Sequence, residues 1–190
     1  MQDAGQETPG VRLETERLLL RELDPAAELD QRFVVTLLND PGFVEGIADF
    51  GVRTLADAAA YIERSCRHFY VTHGFGMYGV ELRETGELVG LMGLLAREVL
   101  DAPDLGFAFL EAHCRRGYAG EAGRAALVDA HERCGLDRVL AVTSGDNVAS
   151  QACLKSLGFR HEGGVRLTEG EPELMLFGVA LDEADARTEE

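Results

Sequence analysis

The sequence predicts an α/β protein in which helices pack on one mixed β-sheet. Short apolar runs, which predict strands, alternate with longer segments of helical periodicity. Two of these runs are joined by the short glycine-containing link 83–86, which predicts a β-hairpin. A further run at 104–110 leads through a glycine-containing loop into a helix. The resulting order, β-α-α-β-β-β-α-β-α-β-β, gives seven strands and about four helices.

Capping residues mark the boundaries of the predicted helices. Asp24 followed by Pro25 predicts the N-terminus of the first helix, and Thr54-Leu-Ala-Asp57 matches a capping box that opens the second. Gly135 and Gly158 stand where the third and fourth helices need a left-handed residue at their C-termini. These signals predict helices at 24–39, 54–70, 119–134 and 147–157.

The apolar runs outside these helices predict the strands. Each run is short and is bounded by glycine, proline or charged residues, as is typical of strands in a compact sheet. The predicted strands lie at 17–23, 76–82, 88–95, 104–110, 138–143, 159–167 and 173–181.

A single domain is expected from the length of 190 residues, and no linker divides the middle of the chain. The predicted domain covers residues 13–181. Residues 1–12 are polar and glycine-rich and are predicted to be disordered. Residues 182–190 form an acidic tail that is predicted to be solvated.

The net charge of −16 disfavours nucleic acid and anionic membranes as partners, because both would be repelled at long range. The acidity serves either solubility or the steering of a cationic substrate, and both explanations stay open. No apolar run approaches the ~20 residues that a membrane-spanning helix needs. The four cysteines form no CxxC pair and no signal segment precedes the domain, so a reduced, cytoplasmic setting is expected.

The segment 114–120, Cys-Arg-Arg-Gly-Tyr-Ala-Gly, favours binding of a phosphate group. A strand, a basic glycine loop and a helix follow in the order that brings backbone N–H groups and the positive end of a helix dipole together. Gly117 and Gly120 permit close approach of the backbone to a ligand, and Arg115 and Arg116 add positive charge. An ordinary strand-to-helix turn is the alternative. The sequences typical of a P-loop and of a dinucleotide-binding fold are both absent.

A second polar group stands at the start of the fourth predicted helix. Asn147 and Ser150 are three residues apart and therefore share one helix face. Asn147 is also a good N-cap, so a role in capping alone would explain both residues.

Together these segments resemble the GNAT N-acetyltransferase superfamily. The resemblance rests on Cys-Arg-Arg-Gly-Tyr-Ala-Gly-Glu-Ala at 114–122 and on Asn-x-x-Ser-x-x-x-Leu-Lys-x-Leu-Gly-Phe at 147–159. Thr-Glu-Arg-Leu-Leu-Leu-Arg at 15–21 and Glu-Leu-Val-Gly-Leu-Met-Gly at 87–93 are similar to the branch that includes ribosomal-protein-alanine N-acetyltransferases. The resemblance implies the GNAT fold, with a mostly antiparallel seven-stranded sheet flanked by about four helices.

The resemblance implies acetyl-CoA as the donor substrate. In the family, backbone N–H groups of the loop bind the pyrophosphate, and the pantetheine arm adds like a further strand where the fourth strand splays from the fifth. Phe109, Leu110 and Asn147 are the residues expected along the arm. The residues expected around the pyrophosphate are Arg115, Arg116, Gly117, Tyr118, Ala119 and Gly120.

Departures from the family pattern concern catalysis. Many members carry a tyrosine at the position of Leu154, where it protonates the departing thiolate. Leucine cannot donate a proton, so Ser150 is the candidate donor, with a purely structural role as the alternative. Asp104 stands where this branch has glutamate and is the candidate base, acting through a water because aspartate is short. A solvated strand end is the alternative for Asp104. Cys114 replaces Gln, Arg or Trp at the first loop position and leaves the backbone donors intact.

The implied activity is direct transfer of acetyl from acetyl-CoA to a primary amine, on a protein N-terminus or a small molecule, in a ternary complex. Two alternatives stay open: a catalytically silent CoA-binding or interaction module on the same fold, and an aminoglycoside-type acetyltransferase that the acidity would suit. A homodimer is also expected from the resemblance. The segments 41–53 and 165–172 are expected to form the walls of the acceptor site.

Other groups have competing interpretations. Cys114 beside His113 suggests a thiol nucleophile, although neighbours on a strand point to opposite faces. His131 and Cys134 suit a metal by spacing, but a metal site needs further ligands, and no metal is predicted. Both core packing and an acceptor pocket would suit three aromatic residues, Tyr61, Phe69 and Tyr70.

Overall fold

The computed structural model describes residues 10–181 and shows one eight-stranded sheet. The strands follow the order β1-β2-β3-β4-β5-β6-β8-β7 across the sheet, and every pair is antiparallel except β5 and β6. The predicted mixed, mostly antiparallel sheet is therefore confirmed. The strands are β1 (Val11–Glu14), β2 (Leu18–Arg21), β3 (Met77–Leu82), β4 (Leu88–Leu95), β5 (Asp104–Phe109), β6 (Arg138–Thr143), β7 (Arg160–Val165) and β8 (Leu174–Ala180).

Five α-helical segments accompany the sheet in the described part of the chain, one more than the sequence predicts, and a short 3-10 helix spans Glu111–His113. The extra one is a short helix after Asp40, which caps it by accepting a hydrogen bond from the backbone N–H of Gly42. A π-helical turn, Glu63–Arg67, joins α3 to α4 in one continuous segment. The helices are α1 (Glu28–Leu38), α2 (Pro41–Gly46), α3 (Leu55–Ile62), α4 (His68–His73), α5 (Tyr118–Glu132) and α6 (Val148–Ser156).

The sequence prediction missed the first strand. β1 pairs antiparallel with β2, which makes eight strands where seven were predicted. The predicted domain boundary after residue 12 therefore falls inside β1. A four-residue strand is too short to show an alternating pattern, and it directly follows a polar segment. Residues 1–9 and the predicted acidic tail, 182–190, lie outside the described residues.

The capping predictions had mixed outcomes. Thr54 and Asp57 form both hydrogen bonds of the predicted capping box. Asp24 does not cap α1: its carboxylate accepts a hydrogen bond from Ala26 N (2.9 Å) in a turn, and the helix begins at Glu28. An aspartate can hydrogen-bond the backbone two residues ahead in a turn as well as at a helix terminus, so the sequence alone does not separate the two.

The sheet divides into two parts between β5 and β6. These parallel strands pair only at Asp104 and Leu140, where Leu140 N donates to Pro103 O over 2.9 Å. Beyond this point they separate, whereas β5 pairs with β4, and β6 with β8, along their whole lengths. We call the opening between β5 and β6 the gap. Because both strands run in the same direction, α5 and α6 begin at the same edge of the sheet, one on each side of the gap.

A buried ion pair fixes α1 to the strands beside it. Arg21 of β2 donates to both carboxylate oxygens of Asp30, over 2.9 and 2.8 Å, and its Nε donates to Glu81 of β3 over 2.9 Å. Asp30 is 1% exposed, and its Oδ2 also accepts from the backbone N–H of Asp24. These carboxylates, Asp30 foremost, raise the pKa of the Arg21 guanidinium against the effect of burial. These three side chains hold α1, β2 and β3 together and lie outside the gap.

Candidate active site

One edge of β5 presents backbone groups to the gap. Leu110 N donates to Val89 O over 3.0 Å, which closes the ladder with β4. Because backbone groups alternate in direction along an antiparallel strand, those of Phe107 and Phe109 turn away from β4 and toward the gap. The Phe109 ring packs over Gly90, where a β-carbon would lie 2.5 Å from the ring. This edge can therefore pair with an extended ligand.

Six consecutive backbone N–H groups at the start of α5 have no acceptor among residues 10–181. They belong to residues 115–120, and we call them the cradle. No side chain caps α5, and the first helical bond runs from Glu121 N to Gly117 O over 3.1 Å. Unpaired amides at the positive end of a helix dipole form a binding site for an anion. The structure thus brings together all the loop residues that the sequence predicted.

The conformation of the cradle depends on two residues with positive φ. Arg115 has a φ of 59° and Gly117 a φ of 82°. A β-carbon on Gly117 would be strained at this φ and would also lie 3.3 Å from Nη2 of Arg17. Glycine is therefore favoured at 117, whereas at Gly120 the nearest atom to a β-carbon, Nη1 of Arg124, is 3.6 Å away.

Positive charge beside the cradle is not neutralised by neighbouring carboxylates. Arg115, Arg116 and Arg124 form no ion pair within the described part of the chain. In a protein with a net charge of −16, three such guanidinium groups at one helix terminus favour an anionic ligand there.

The N-terminus of α6, on the other side of the gap, is closed by its own side chain. Asn147 accepts a hydrogen bond from Ser150 N over 3.0 Å, so Asn147 is the N-cap. Gln151 donates from Nε2 to Ser144 O (3.3 Å) and to Gly145 O (2.9 Å), which holds the turn before the helix. The hydroxyl of Ser150 forms no hydrogen bond with any described residue, and its side chain is half-buried.

A segment that we call the strap, residues 40–47, contacts both sides of the gap. On the β5 side, Asp40 Oδ2 accepts a hydrogen bond from Glu111 N over 3.2 Å. On the α6 side, a β-carbon on Gly46 would lie 3.3 Å from Nδ2 of Asn147. The strap includes the first part of the predicted acceptor wall.

The second predicted acceptor wall, 165–172, lies at the same edge of the sheet. It connects β7 to β8, and Met175 near the start of β8 pairs with Thr143 at the end of β6. Both predicted wall segments therefore lie at the edge from which α5 and α6 begin.

Asp104 lies at the closed end of the gap, roughly 17 Å along β5 from Phe109. The side chain is 1% exposed, and Arg97 Nε lies 3.0 Å from each carboxylate oxygen. Burial raises the pKa of this carboxyl, while the charge of Arg97 and its hydrogen bonds oppose the rise. Asp104 is thus not a solvated strand end. No hydrogen bond joins it to Ser150.

Cys114 and His113, which the sequence suggests as a thiol nucleophile and its neighbour, contact different partners. Cys114 directs its thiol to the carbonyl oxygens of Phe109 and Leu110, whereas His113 Nε2 lies 3.3 Å from Glu87. Burial raises the pKa of the Cys114 thiol, and the negative charges of Asp40 and Glu111 raise it further. Cys114 is therefore poorly suited to act as a thiolate nucleophile.

Within residues 10–181, no group of three or more His, Cys, Asp or Glu side chains is arranged to hold a metal ion. No helix in this range is long and apolar enough to cross a membrane. His131 Nδ1 lies 3.1 Å from Leu136 O.

Tyr70 belongs to the core and stacks on Tyr78, with ring centroids 5.2 Å apart, whereas Tyr61 is half-buried and packs near Phe50. Leu154, at the family's tyrosine position, is fully buried.

Sequence reasoning missed several residues that contact this site. Asp40 contacts a residue that is distant in sequence, Arg97 contacts Asp104 from a loop, and Gln151 holds the turn before its own helix; no spacing rule identifies these three residues. Thr15 and Arg17, within a segment noted only for its resemblance, hydrogen-bond Glu121 at the start of α5.

A family model of the GNAT acetyltransferase domain matches residues 17–160. The chain belongs to the GNAT acetyltransferases. An uncharacterized N-acetyltransferase of Bacillus subtilis (strain 168), YoaA, is 28% identical over 156 residues, covering 81% of this chain and 85% of that protein. The predicted family and the predicted class of enzyme, an acetyl-CoA-dependent acyltransferase, are confirmed.

Solved structures of GNAT proteins share the fold. A protein from Bordetella pertussis assigned to this family has a TM-score of 0.71 and 25% identity, covering 92% of this chain and all of that one (100%). The ribosomal L7/L12 α-N-protein acetyltransferase RimL, in complex with coenzyme A, has a TM-score of 0.76 and 17% identity, covering 91% of this chain and 99% of that one. The RimL complex shows that a protein of this fold binds coenzyme A.

Proposed function

We propose that this GNAT protein transfers acetyl from acetyl-CoA to a primary amine, by direct attack of the amine in a ternary complex. The observation that carries the proposal is the row of unpaired amides at residues 115–120, at the mouth of a gap whose β5 edge is open. The acceptor is a protein N-terminus or a small-molecule amine.

The site suits both parts of the donor. The diphosphate would accept hydrogen bonds from the cradle, with Arg115 and Arg116 adding positive charge. The pantetheine arm would extend along β5 past Leu110 and Phe109, whose backbone offers strand-type hydrogen bonds. Asn147 Oδ1 is already engaged with Ser150 N, so its Nδ2 is the group available to an amide of the arm.

Two side chains would handle protons. An alkyl ammonium must lose a proton before it can attack, and we assign that proton to Asp104 through a relaying water, because the carboxylate is 1% exposed. The amine lone pair forms the new C–N bond as the C–S bond breaks, and the nitrogen then releases its second proton to solvent, which leaves a neutral amide. The departing thiolate takes a proton from the Ser150 hydroxyl, which regains one from solvent. Arg97 orients Asp104 and keeps a counter-charge beside it.

The acceptor would lie against the strap. Val44 and Ile47 of the strap and Phe50 just beyond it are 37%, 50% and 51% exposed, so they offer apolar surface to the group that carries the amine. The connection between β7 and β8 would form the opposite wall. We therefore expect an amine with an apolar neighbour to be preferred over a fully polar one.

Release of free thiol tests the proposal. Purified protein is incubated with acetyl-CoA and a panel of amines and peptides, and products are identified by mass spectrometry. We expect amine-dependent release of CoA together with an N-acetylated product. Asp104→Asn should lower kcat by about tenfold to a hundredfold. The matched control is Asp101→Asn, whose carboxylate is 75% exposed and lies nearby in sequence. Equal rates for both variants would remove Asp104 from the mechanism.

The same assay separates the alternatives. Binding of CoA in calorimetry, without turnover on any amine, would favour a silent CoA-binding module. The observation that favours this alternative is Leu154, which stands where many family members have a proton-donating tyrosine. Turnover confined to polycationic aminosugars would favour an aminoglycoside-type enzyme, in keeping with the net charge of −16. Absence of CoA binding would overturn the proposal altogether. The cytoplasmic setting and the homodimer stay predictions.

A further inference from the structure

We propose that Arg17 and Glu121 are positioning residues: their ion pair holds the cradle in its binding conformation, and Arg17 cancels the negative charge that Glu121 places beside it. This inference rests on the proposed binding of acetyl-CoA by the cradle. It assigns a role to the Thr15–Arg17 segment, which precedes β2 and forms no part of the gap.

Glu121, in the first turn of α5, is the centre of the arrangement. One oxygen, Oε1, accepts from Thr15 Oγ1 (2.5 Å) and from Arg17 N (2.9 Å). The other, Oε2, accepts from Nε of Arg17 over 2.7 Å and forms an ion-pair contact with Nη2, also at 2.7 Å. Both oxygens of this carboxylate are thus held by one short segment, which fastens the start of α5 to the start of β2.

Arg17 also contacts the cradle itself, at three consecutive residues. Its Nη1 donates to Arg116 O over 3.0 Å, and its guanidinium carbon lies 4.8 Å from the centre of the Tyr118 ring. Its Nη2 would be 3.3 Å from a β-carbon on Gly117, so the guanidinium lies directly against this left-handed residue. By binding the Arg116 carbonyl oxygen, Arg17 fixes the peptide plane that joins Arg116 to Gly117, and with it the direction of the Gly117 N–H.

The charge of Glu121 makes this arrangement matter for an anionic ligand. Burial would raise the pKa of Glu121, but hydrogen bonds from Thr15 and Arg17 outweigh it and lower the pKa, so the carboxylate stays ionised. A carboxylate in the first turn of α5 would repel a diphosphate at the same helix terminus. Arg17 neutralises that charge at 2.7 Å, so the positive end of the helix remains available to the donor.

Calorimetry with CoA and steady-state kinetics with acetyl-CoA test the inference. Arg17→Ala should weaken CoA binding and raise KM for acetyl-CoA by about tenfold or more, with a smaller change in kcat. S-acetylpantetheine, which lacks the diphosphate, should show the same KM with wild type and variant. Arg17→Lys keeps the charge but cannot reach Glu121 and Arg116 together, so it should give an intermediate loss.

A double variant tests the charge component. Arg17→Ala leaves Glu121 ionised and unpaired at the cradle, so Arg17→Ala/Glu121→Gln should bind CoA more tightly than Arg17→Ala alone. The matched control is Arg83→Ala: Arg83 donates to Thr15 O over 2.7 Å in the same neighbourhood, but it forms no hydrogen bond or ion pair with residues 115–120. We expect Arg83→Ala to bind CoA as the wild type does.

The outcomes separate this inference from the proposed function. If wild-type protein does not bind CoA, both are wrong. If wild type binds CoA and Arg17→Ala binds it equally well, the positioning role alone is wrong. A loss that is the same for acetyl-CoA and S-acetylpantetheine would also overturn it, because the effect would then be a general loss of structure. A thermal melt of each variant measures that general loss independently.

Discussion

The two helix N-termini that flank the gap are built in different ways. At α6, Asn147 accepts a hydrogen bond from the amide of Ser150, as an N-cap does. At α5, Gly117 adopts a left-handed conformation, no side chain caps the helix, and the amides of 115–120 are unpaired among the described residues. Both helices begin at the same edge of the sheet, so their positions alone do not explain the difference.

The contrast indicates a division of labour. A side-chain cap contributes roughly 0.5–2 kcal/mol to stability, and α5 forgoes it. Its amides are then free to bind an anion, and the stabilisation is recovered when a ligand binds. At α6 the amides of Val148, Ser150 and Gln151 are hydrogen-bonded within the protein. The groups that this helix offers are side-chain groups, the Asn147 amide nitrogen and the Ser150 hydroxyl. Under the proposed function, backbone groups of α5 bind the diphosphate, whereas side chains at the start of α6 bind the pantetheine arm and protonate the thiolate.

The largest expected effect lies at α6. Ser150→Ala should lower kcat by about a hundredfold with little change in KM for acetyl-CoA, because a general acid would be lost while the donor site stays intact. Thiol-release kinetics measure both constants. Ser156→Ala is the control, since this serine lies on the same helix and only donates to Cys153 O over 2.7 Å. An unchanged kcat in Ser150→Ala would leave α6 with a structural role alone.

A somewhat smaller effect is expected at α5. Gly117→Ala places a β-carbon on a residue with a φ of 82°, which costs about 1–2 kcal/mol and shifts the cradle, so CoA should bind about tenfold more weakly. Calorimetric titration measures the affinity. Gly158→Ala is matched in conformation, with a φ of 90°, but lies at the other end of α6. It should lower the melting temperature and leave the affinity unchanged, and equal losses of affinity in both variants would contradict the assignment.

The cap of α6 gives a still smaller effect. Asn147→Ala should lower the free energy of unfolding by about 1 kcal/mol, as measured by urea denaturation. Asn147→Asp should keep the cap but lose Nδ2, so its stability should match the wild type while KM for acetyl-CoA rises. Thr54→Ala removes the cap of α3 and is the control for lost stability without lost affinity. An unchanged KM in Asn147→Asp would argue against contact between Asn147 and the pantetheine arm.

The smallest expected effect concerns the pH dependence of stability. The folded protein raises the pKa of Asp104, so the stability contributed by this group is present below its unfolded pKa and is lost as pH rises through the folded pKa. Glu121 has a lowered pKa, so its contribution is present above the unfolded pKa and is lost as pH falls.

Urea denaturation between about pH 3 and pH 7 measures both contributions, with the Glu121 contribution changing in the acid part of this range. As pH rises, the stability of the wild type should fall relative to Asp104→Asn and rise relative to Glu121→Gln. If both differences in the free energy of unfolding, wild type minus variant, changed with pH in the same direction, burial and hydrogen bonding would not act oppositely on these two carboxylates.

Local signals in the sequence predicted most of the fold. β4 and β6 have their predicted bounds, and the capping box at Thr54 forms both of its hydrogen bonds, because apolar runs and caps act over a few neighbouring residues. β1 and α2 were missed because each is short, and short elements depend on contacts made elsewhere. β1 needs β2 as its partner, and Asp40, which caps α2, also binds the Glu111 amide at the end of β5.

Only part of the candidate site could be predicted in the same way. The cradle is one continuous segment, so its glycines and arginines could be identified together. Arg97 reaches Asp104 from the connection between β4 and β5, and no spacing predicts that the carboxylate is 1% exposed and paired. Arg17 and Glu121 are 104 residues apart, so their contact exists only in the folded chain. The environment of a side chain, and hence its pKa, depends on such distant contacts.

A crystal structure of the complex with acetyl-CoA is the most direct test of the claim that the uncapped start of α5 binds the donor. We predict diphosphate oxygens within about 3 Å of several amides of residues 115–120, and the thioester in the gap between β5 and β6. A diphosphate bound elsewhere, or amides of 115–120 hydrogen-bonded within the protein while the gap is closed, would contradict it.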